Sequence, residues 1–229
     1  MGIKENLDNL RKRVENAAKK AGRNPDEIKI VAASKEVPAE KILEAIECGI
    51  SIIGENRVQE AYEKYNKIGH LAEWHMIGHL QRNKVKKALL IFDCIQSVDS
   101  ERLAQEISKR ATKPVDIFIE VNTSLEETKY GVLPEDVIDF INKIRSLERL
   151  RIKGLMTIGP LKGDPRPCFR KLRELRDKIM EQGFENVDIQ YLSMGMTDDF
   201  EIAIEEGSNM IRIGRAIFGE RRGGGTYAS

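Results

Sequence analysis

Lys35 is the residue whose position first suggests chemistry. It ends the run Ile30-Val31-Ala32-Ala33-Ser34-Lys35, which has helix-like sequence on both sides. Such a run reads as a buried strand over 30–34. An ammonium at the end of a buried strand is costly to desolvate, or its pKa is driven down. A lysine of that kind is a ready nucleophile for Schiff-base chemistry. The plain alternative is that Lys35 is the first exposed residue after the strand. Arg212 stands out for a similar reason. It lies between Ile211 and Ile213 in an apolar run, where an arginine needs an ion-pair partner or a ligand.

Two short stretches could cradle an anion. The first is Leu192-Ser193-Met194-Gly195-Met196-Thr197-Asp198; the second is Ile213-Gly214-Arg215. Ser193 offers a hydroxyl, and Gly195 and Gly214 allow close approach to the backbone. Thr197 or Asp198 is placed to cap a following helix, whose start favours an anion. Ordinary strand-to-helix turns use the same residue types, so either stretch alone says little. Asn56 is either a ligand contact or a helix cap. His75 and His79 are four apart, but Gly78 and a strand-like pattern argue against one helical face, and no carboxylate motif completes a metal site. There is no Gly-x-Ser-x-Gly elbow and no GxGxxG after the first strand.

The elements that must carry these residues follow from periodicity. Ile3, Leu7, Leu10, Val14 and Ala17-Ala18 mark an N-terminal amphipathic helix closed by Gly22 and Pro25. Strands are expected at 30–34, 50–53, 74–77, 94–98, 115–121, 152–157, 187–192 and 210–213. Helices are expected at 38–47, 57–68, 81–90, 100–110, 134–147, 168–182, 198–206 and 215–220, with Gly54-Glu55-Asn56 as a turn and Asp99 or Ser100 as a cap. Alternating β and α units imply a parallel sheet. Eight of them in 229 residues imply an α/β fold, a single closed (β/α)8 TIM barrel with an extra N-terminal helix. A doubly wound open sheet is the alternative. The barrel is expected to span 1–222, with 223–229 (Gly-Gly-Gly-Thr-Tyr-Ala-Ser) as a disordered tail.

Composition limits the function. The 38 basic and 37 acidic residues leave a formal net charge of +1, which gives no global reason to expect nucleic acid or an acidic membrane as partner. The basic run Arg82-Asn83-Lys84-Val85-Lys86-Lys87 reads as a solvated helix face. Cys48, Cys94 and Cys168 are odd in number and far apart, as expected of free thiols in a reducing compartment. No signal peptide and no apolar run of about 20 residues is present. The expected location is cytoplasmic, and the expected state is a monomer without nucleic-acid or membrane partners.

In a (β/α)8 barrel the active face lies at the C-terminal ends of the strands, and phosphate often sits after strands seven and eight. Strands one and eight are neighbours there. Lys35, Arg212 and the two turns then converge on one side of one opening. A Schiff-base lysine, an arginine and a phosphate cradle together describe a site for pyridoxal 5'-phosphate.

The chain also resembles the pyridoxal phosphate homeostasis family, whose members look like the barrel domain of alanine racemase without its second domain. The resemblance rests on Val31-Ala32-Ala33-Ser34-Lys35, on Gly54-Glu55-Asn56-Arg57-Val58-Gln59-Glu60, and on Trp74-His75-Met76-Ile77-Gly78-His79-Leu80-Gln81-Arg82-Asn83-Lys84. It continues through Glu120-Val121-Asn122, Lys129-Tyr130-Gly131 and Gly154-Leu155-Met156-Thr157. It ends with the Leu192 to Asp198 stretch and Ile211-Arg212-Ile213-Gly214-Arg215-Ala216-Ile217-Phe218-Gly219. The resemblance implies that Lys35 holds the cofactor as a Schiff base, and that Ser193, Met194, Gly195, Gly214 and Arg215 hold the phosphate. It also implies that Arg212 faces the pyridine nitrogen. Arg215 stands where many relatives carry a small hydroxyl residue.

The implied role is cofactor and amino-acid homeostasis without substantial catalysis, with apo pyridoxal phosphate enzymes as candidate recipients. In the racemases a second base comes from an added domain, for which this chain has no length. An arginine at the ring nitrogen also weakens the cofactor as electron sink. The alternatives are a weak pyridoxal phosphate-dependent racemase and a cofactor-free Schiff-base aldolase.

Overall fold

The computed structural model describes residues 2–220. The expected barrel end at 222 and the tail 223–229 lie outside the described residues. Helix α1 (Ile3–Lys20) precedes a regular alternation. It runs β1 (Lys29–Ala33), α2 (Ala39–Glu47), β2 (Ile52–Glu55), α3 (Val58–Ile68), β3 (Glu73–Met76), α4 (Val85–Ala88), β4 (Cys94–Val98) and α5 (Glu101–Arg110). It continues as β5 (Val115–Glu120), α6 (Val137–Ile144), β6 (Leu150–Met156), α7 (Arg166–Glu181), β7 (Val187–Ser193), α8 (Phe200–Glu205), β8 (Met210–Ile213) and α9 (Arg215–Phe218).

The strands pair in parallel in sequence order, and β1 pairs with β8, so the sheet closes. The strands form because both of their faces are buried. Ile53, Ile95, Ile117, Ile119, Leu155 and Ile211 face the helices, while Val31, Ile52, Cys94, Phe118, Met156 and Met210 fill the barrel. Period-two alternation therefore alternates between two apolar environments rather than between core and water. Helix α1 buries Ile3, Leu7, Leu10, Val14, Ala17 and Ala18 and packs on α8 and α9, beside the β1–β8 closure. Asn6 Nδ2 donates to Ile217 O at 2.9 Å, and Arg13 pairs with Glu201 at 2.6 Å.

Three expectations about local structure are corrected. Gly54 and Glu55 belong to β2 and not to a turn. Glu55 can stay in the strand, fully buried, because Lys64 of α3 reaches its Oε1 at 2.6 Å. The helix expected over 81–90 is a 3-10 turn at Arg82–Lys84 followed by the single α turn of α4. Its exposed Arg82 and Lys84 contribute no apolar face that would hold a longer helix against the barrel. Helix α8 starts at Phe200 after the cap residue Asp199, so neither Thr197 nor Asp198 is its cap. The cap expected at Asp99 or Ser100 does fall on Ser100, without a side-chain cap bond, and Asp99 pairs with His79.

Candidate functional site

The C-terminal mouth of the barrel gathers the residues singled out from sequence. Strand β1 ends at Ala33, two residues before Lys35. Its inward residues Val31 and Ala33 carry the same phase on to Lys35. The Lys35 side chain is 28% exposed, with Nζ 3.9 Å from Glu36 Oε1. Its place just past the end of β1, rather than burial, is what distinguishes it.

The turn that presents Lys35 is held from below. Val37 N donates to Ser34 O at 2.9 Å, and Glu36 takes φ of 63°, a left-handed conformation that costs a non-glycine residue about 1 kcal/mol or more. Glu36 N donates to Glu60 Oε1 at 2.5 Å. The buried Lys64 ammonium spends its three donors on Ser34 O, Glu55 Oε1 and Glu60 Oε1, each at 2.6 Å. Ser34 Oγ donates to Glu55 Oε1 at 2.5 Å. Burial pushes the Glu55 carboxyl up despite the pull of Lys64.

Arg212 sits one strand away, with Val31 of β1 as its register partner. It is 5% exposed, and no carboxylate hydrogen-bonds to it among the described residues. Nη1 donates to Ser193 O at 2.7 Å and to Ser193 Oγ at 2.8 Å, and Nη2 donates to Thr157 O at 2.8 Å. Among the described residues these bonds use three of the five guanidinium N–H donors, which leaves two for a ligand. Burial lowers the Arg212 pKa to about 10, against the pull of Glu120 and Asp199. It is therefore a cation at neutral pH. Glu120 ends β5, two residues on from the inward Phe118, so it faces the same mouth. Burial raises its carboxyl to about 7, with Asp99 adding to the rise and Arg212 opposing it.

The two turns expected to cradle an anion meet beside Arg212. Strands β7 and β8 share one register pair, Ser193 with Met210. Above it, Arg212 N donates to Gly195 O at 2.9 Å. Gly195 has φ of 98°, and a Cβ there would lie 2.6 Å from Ala203 Cβ, so only glycine fits. A Cβ on Gly214 would lie 3.1 Å from Ala33 O, which ties the second turn to the strand leading to Lys35. The Thr197 hydroxyl bridges the turns by accepting from Ala216 N at 3.4 Å. Helices α8 and α9 are only six and four residues long, so the turn amides and hydroxyl, not a helix dipole, are what a phosphate would meet.

The individual placements differ from one another. Ser193 Oγ is buried inside the barrel under Arg212, where it serves the arginine rather than the rim. Met194 is buried as well, and its amide donates to Met210 O at 3.1 Å. The Arg215 guanidinium pairs with Asp198 of the first turn. Asn56 is exposed and is not a helix cap, since Arg57 holds that position. His75 is buried against Gln96 and Glu73, whereas His79 lies 3.2 Å from Asp99 and stacks on Tyr130 with centroids 3.9 Å apart. They are in different surroundings. Sequence reasoning did not single out Gln96; it read Thr197 only as a helix cap, and it met Thr157 and Glu120 only inside the stretches of the resemblance. The available signal was phase, because each except Thr197 follows an apolar strand run at or near its C-terminal end.

These donors suit a ligand carrying both an aldehyde and a phosphate. A primary amine with no hydrogen bond among the described residues can condense with the aldehyde. The spare guanidinium donors suit a ring nitrogen. The glycine-lined turns with the Thr197 hydroxyl suit phosphate oxygens. Pyridoxal phosphate has this combination of groups, and the residues present fit it.

Residues 6–222 match the family model of the alanine racemase N-terminal domain. The pyridoxal phosphate homeostasis protein of Aquifex aeolicus is 46% identical over 229 residues, covering 97% of this chain and 100% of that protein. The protein of the same name from Mus musculus is 39% identical over 210 residues, covering 84% and 77%. Among solved structures, PipY of Synechococcus elongatus with pyridoxal phosphate bound aligns with a TM-score of 0.82 at 32% identity, over 95% of this chain and 100% of that one. Alanine racemase of Clostridium difficile shares the fold, with a TM-score of 0.72 at 18% identity over 97% of this chain and 57% of its own. Matched over nearly all of its length at such identities, the chain belongs to the pyridoxal phosphate homeostasis protein family, which is built on the alanine racemase N-terminal barrel.

Proposed function

We propose that this protein binds pyridoxal 5'-phosphate on Lys35 and serves to buffer or deliver the cofactor rather than to run amino-acid catalysis. The observation that supports this reading is the β1–β8 seam, where Arg212 is the register partner of Val31 and Gly214 packs on Ala33 O, two residues before Lys35. The naming of the relatives as homeostasis proteins and the bound ligand of PipY support it. When bound, the cofactor supplies a carbonyl that condenses with a primary amine. Lys35 provides that amine from a turn fixed by Lys64 and Glu60. Gly195, Gly214, Arg215 and Thr197 hold the phosphate, Asn56 contacts the ligand from the β2 rim, and Met194 braces the first turn from the helix-facing core. Arg212 donates to the ring nitrogen and stays charged at neutral pH. A donor-only group at that atom leaves the nitrogen unprotonated, so the ring withdraws electrons weakly. Apo forms of pyridoxal phosphate enzymes are the natural recipients, and the working form is a cytoplasmic monomer.

A second reading, weak racemase activity, draws on Glu120. Racemisation needs a second acid/base group across the substrate from Lys35, and Glu120 presents a carboxyl to the same mouth. Incubation with L-alanine in deuterated water, followed by chiral analysis, separates the two. The carrier reading expects no labelled D-alanine above the level given by free cofactor. Labelled D-alanine formed at enzymatic turnover, and lost in Glu120→Gln, would replace it with the racemase reading.

A further inference from the structure

Below the mouth, the barrel interior contains one connected polar row among otherwise apolar layers. It starts at Arg212 on β8 and crosses Ser193 on β7 and Gln96 on β4. It ends on His75 and Glu73 of β3. Arg212 Nη1 donates to Ser193 Oγ at 2.8 Å, and Ser193 Oγ donates to Gln96 Oε1 at 2.5 Å. Gln96 Nε2 lies 2.6 Å from His75 Nδ1, and His75 Nε2 lies 2.8 Å from Glu73 Oε1. Arg212, Ser193, Gln96 and His75 are buried. Glu73, at the N-terminal rim, has a side chain 51% exposed. His75 beside it holds the Glu73 carboxyl below its ordinary range.

The direction of the row is forced by its ends. A guanidinium only donates, and an ionised carboxylate only accepts. Ser193 Oγ accepts from Arg212 and gives its own hydrogen to Gln96 Oε1. That sets the Gln96 oxygen toward Ser193 and its nitrogen toward His75 Nδ1 and Met210 Sδ, the latter at 3.2 Å. Nδ1 of His75 is then the acceptor, and Nε2 carries the hydrogen that meets Glu73. Every donor points from the mouth toward the opposite rim, and each link polarises the next. Burying such groups costs more than an apolar layer like the neighbouring Phe118 and Met156 would. Stability alone therefore does not account for them.

We propose that Gln96 and His75 are positioning residues of the cofactor site, which hold the Ser193 hydroxyl as an acceptor and thereby fix the Arg212 guanidinium toward the ligand. The proposal rests on the pyridoxal phosphate reading above. It assigns a ligand-dependent role to side chains that the ligand does not touch, and it extends that role to Glu73 on the far side of the barrel.

The test uses the full chain, titrated with pyridoxal phosphate, in three forms: parent, Gln96→Leu and Glu73→Gln. Affinity, the position of the visible absorbance band and the melting temperature are recorded for each. Nitrogen-15 NMR of His75 reads its tautomer in the parent. The expected results are an Nε2–H tautomer, an affinity lower by about tenfold with a displaced band in Gln96→Leu, and a smaller loss in the same direction in Glu73→Gln at an unchanged melting temperature. A loss of that size is what removal of a hydrogen bond supporting a charged group produces. Parent-like affinity and band in both variants, whatever the melting temperature of Gln96→Leu, would overturn the proposal, as would an Nδ1–H tautomer. If Gln96→Leu does not fold, Glu73→Gln and the tautomer decide the matter. A parent that binds no pyridoxal phosphate would instead bring down the cofactor reading itself, and the positioning role with it.

Discussion

Glu120 gives the sharpest expectation for the unliganded protein. Its side chain is 6% exposed, and burial raises its carboxyl from the ordinary 4.5 to about 7. Glutamine keeps its shape and removes its charge. The folded chain holds the Glu120 proton more tightly than the unfolded chain does. Stability from this residue is thus complete below 4.5 and is lost as pH rises toward about 7. The full loss corresponds to about 3 kcal/mol. The value of about 7 already contains the pull of Arg212, so no separate allowance is needed. Glu120→Gln should match the parent near pH 4 and exceed it by up to about 3 kcal/mol at pH 8. Urea denaturation of both proteins across that range measures the difference. A difference that stays flat with pH, or a variant less stable than the parent at pH 8, would show that the carboxyl is not buried in the way described.

Lys64→Met should be among the most damaging single changes outside the mouth, because it leaves the buried Glu55 carboxylate without its cation; the expected cost is about 3–5 kcal/mol. Adding Glu55→Gln to it should recover most of that loss in thermal melts, and no recovery would mean that the pair does not act as a unit. Gly195→Ala forces a side chain into a backbone with φ of 98° and against Ala203. It should cost about 1–3 kcal/mol and weaken pyridoxal phosphate binding, and a titration matching the parent would argue that this turn does not hold the phosphate.

Much of the fold is legible in the chain because its strands are buried on both faces. Runs such as Ile117-Phe118-Ile119 carry no helical period and are too short for core helices. The α1 stripe of Ile3, Leu7, Leu10 and Val14 is equally readable. The β2 boundary was not, because Gly54 and Glu55 look like turn residues until Lys64, nine positions later, supplies the buried counter-charge. The helix expected over 81–90 failed for a related reason: good helix formers at exposed positions do not fix a helix without an apolar face. Lys35 and Arg212 announced themselves as charges in apolar runs. The Ser193–Gln96 link did not, since the two residues are 97 positions apart and nothing in either segment tells that the barrel brings them into hydrogen-bond contact. Ser193 was read as a rim hydroxyl, while strand phase places it inside, under Arg212.

The most direct measurement of the whole account is the visible absorbance spectrum of the purified protein with added pyridoxal phosphate, recorded beside that of Lys35→Ala. A yellow band in the parent that is absent from the variant is the expected result, with borohydride fixing the ligand to Lys35 in the parent alone. A parent that remains colourless, or a variant that keeps the band, would contradict the assignment of Lys35 as the residue that holds the cofactor.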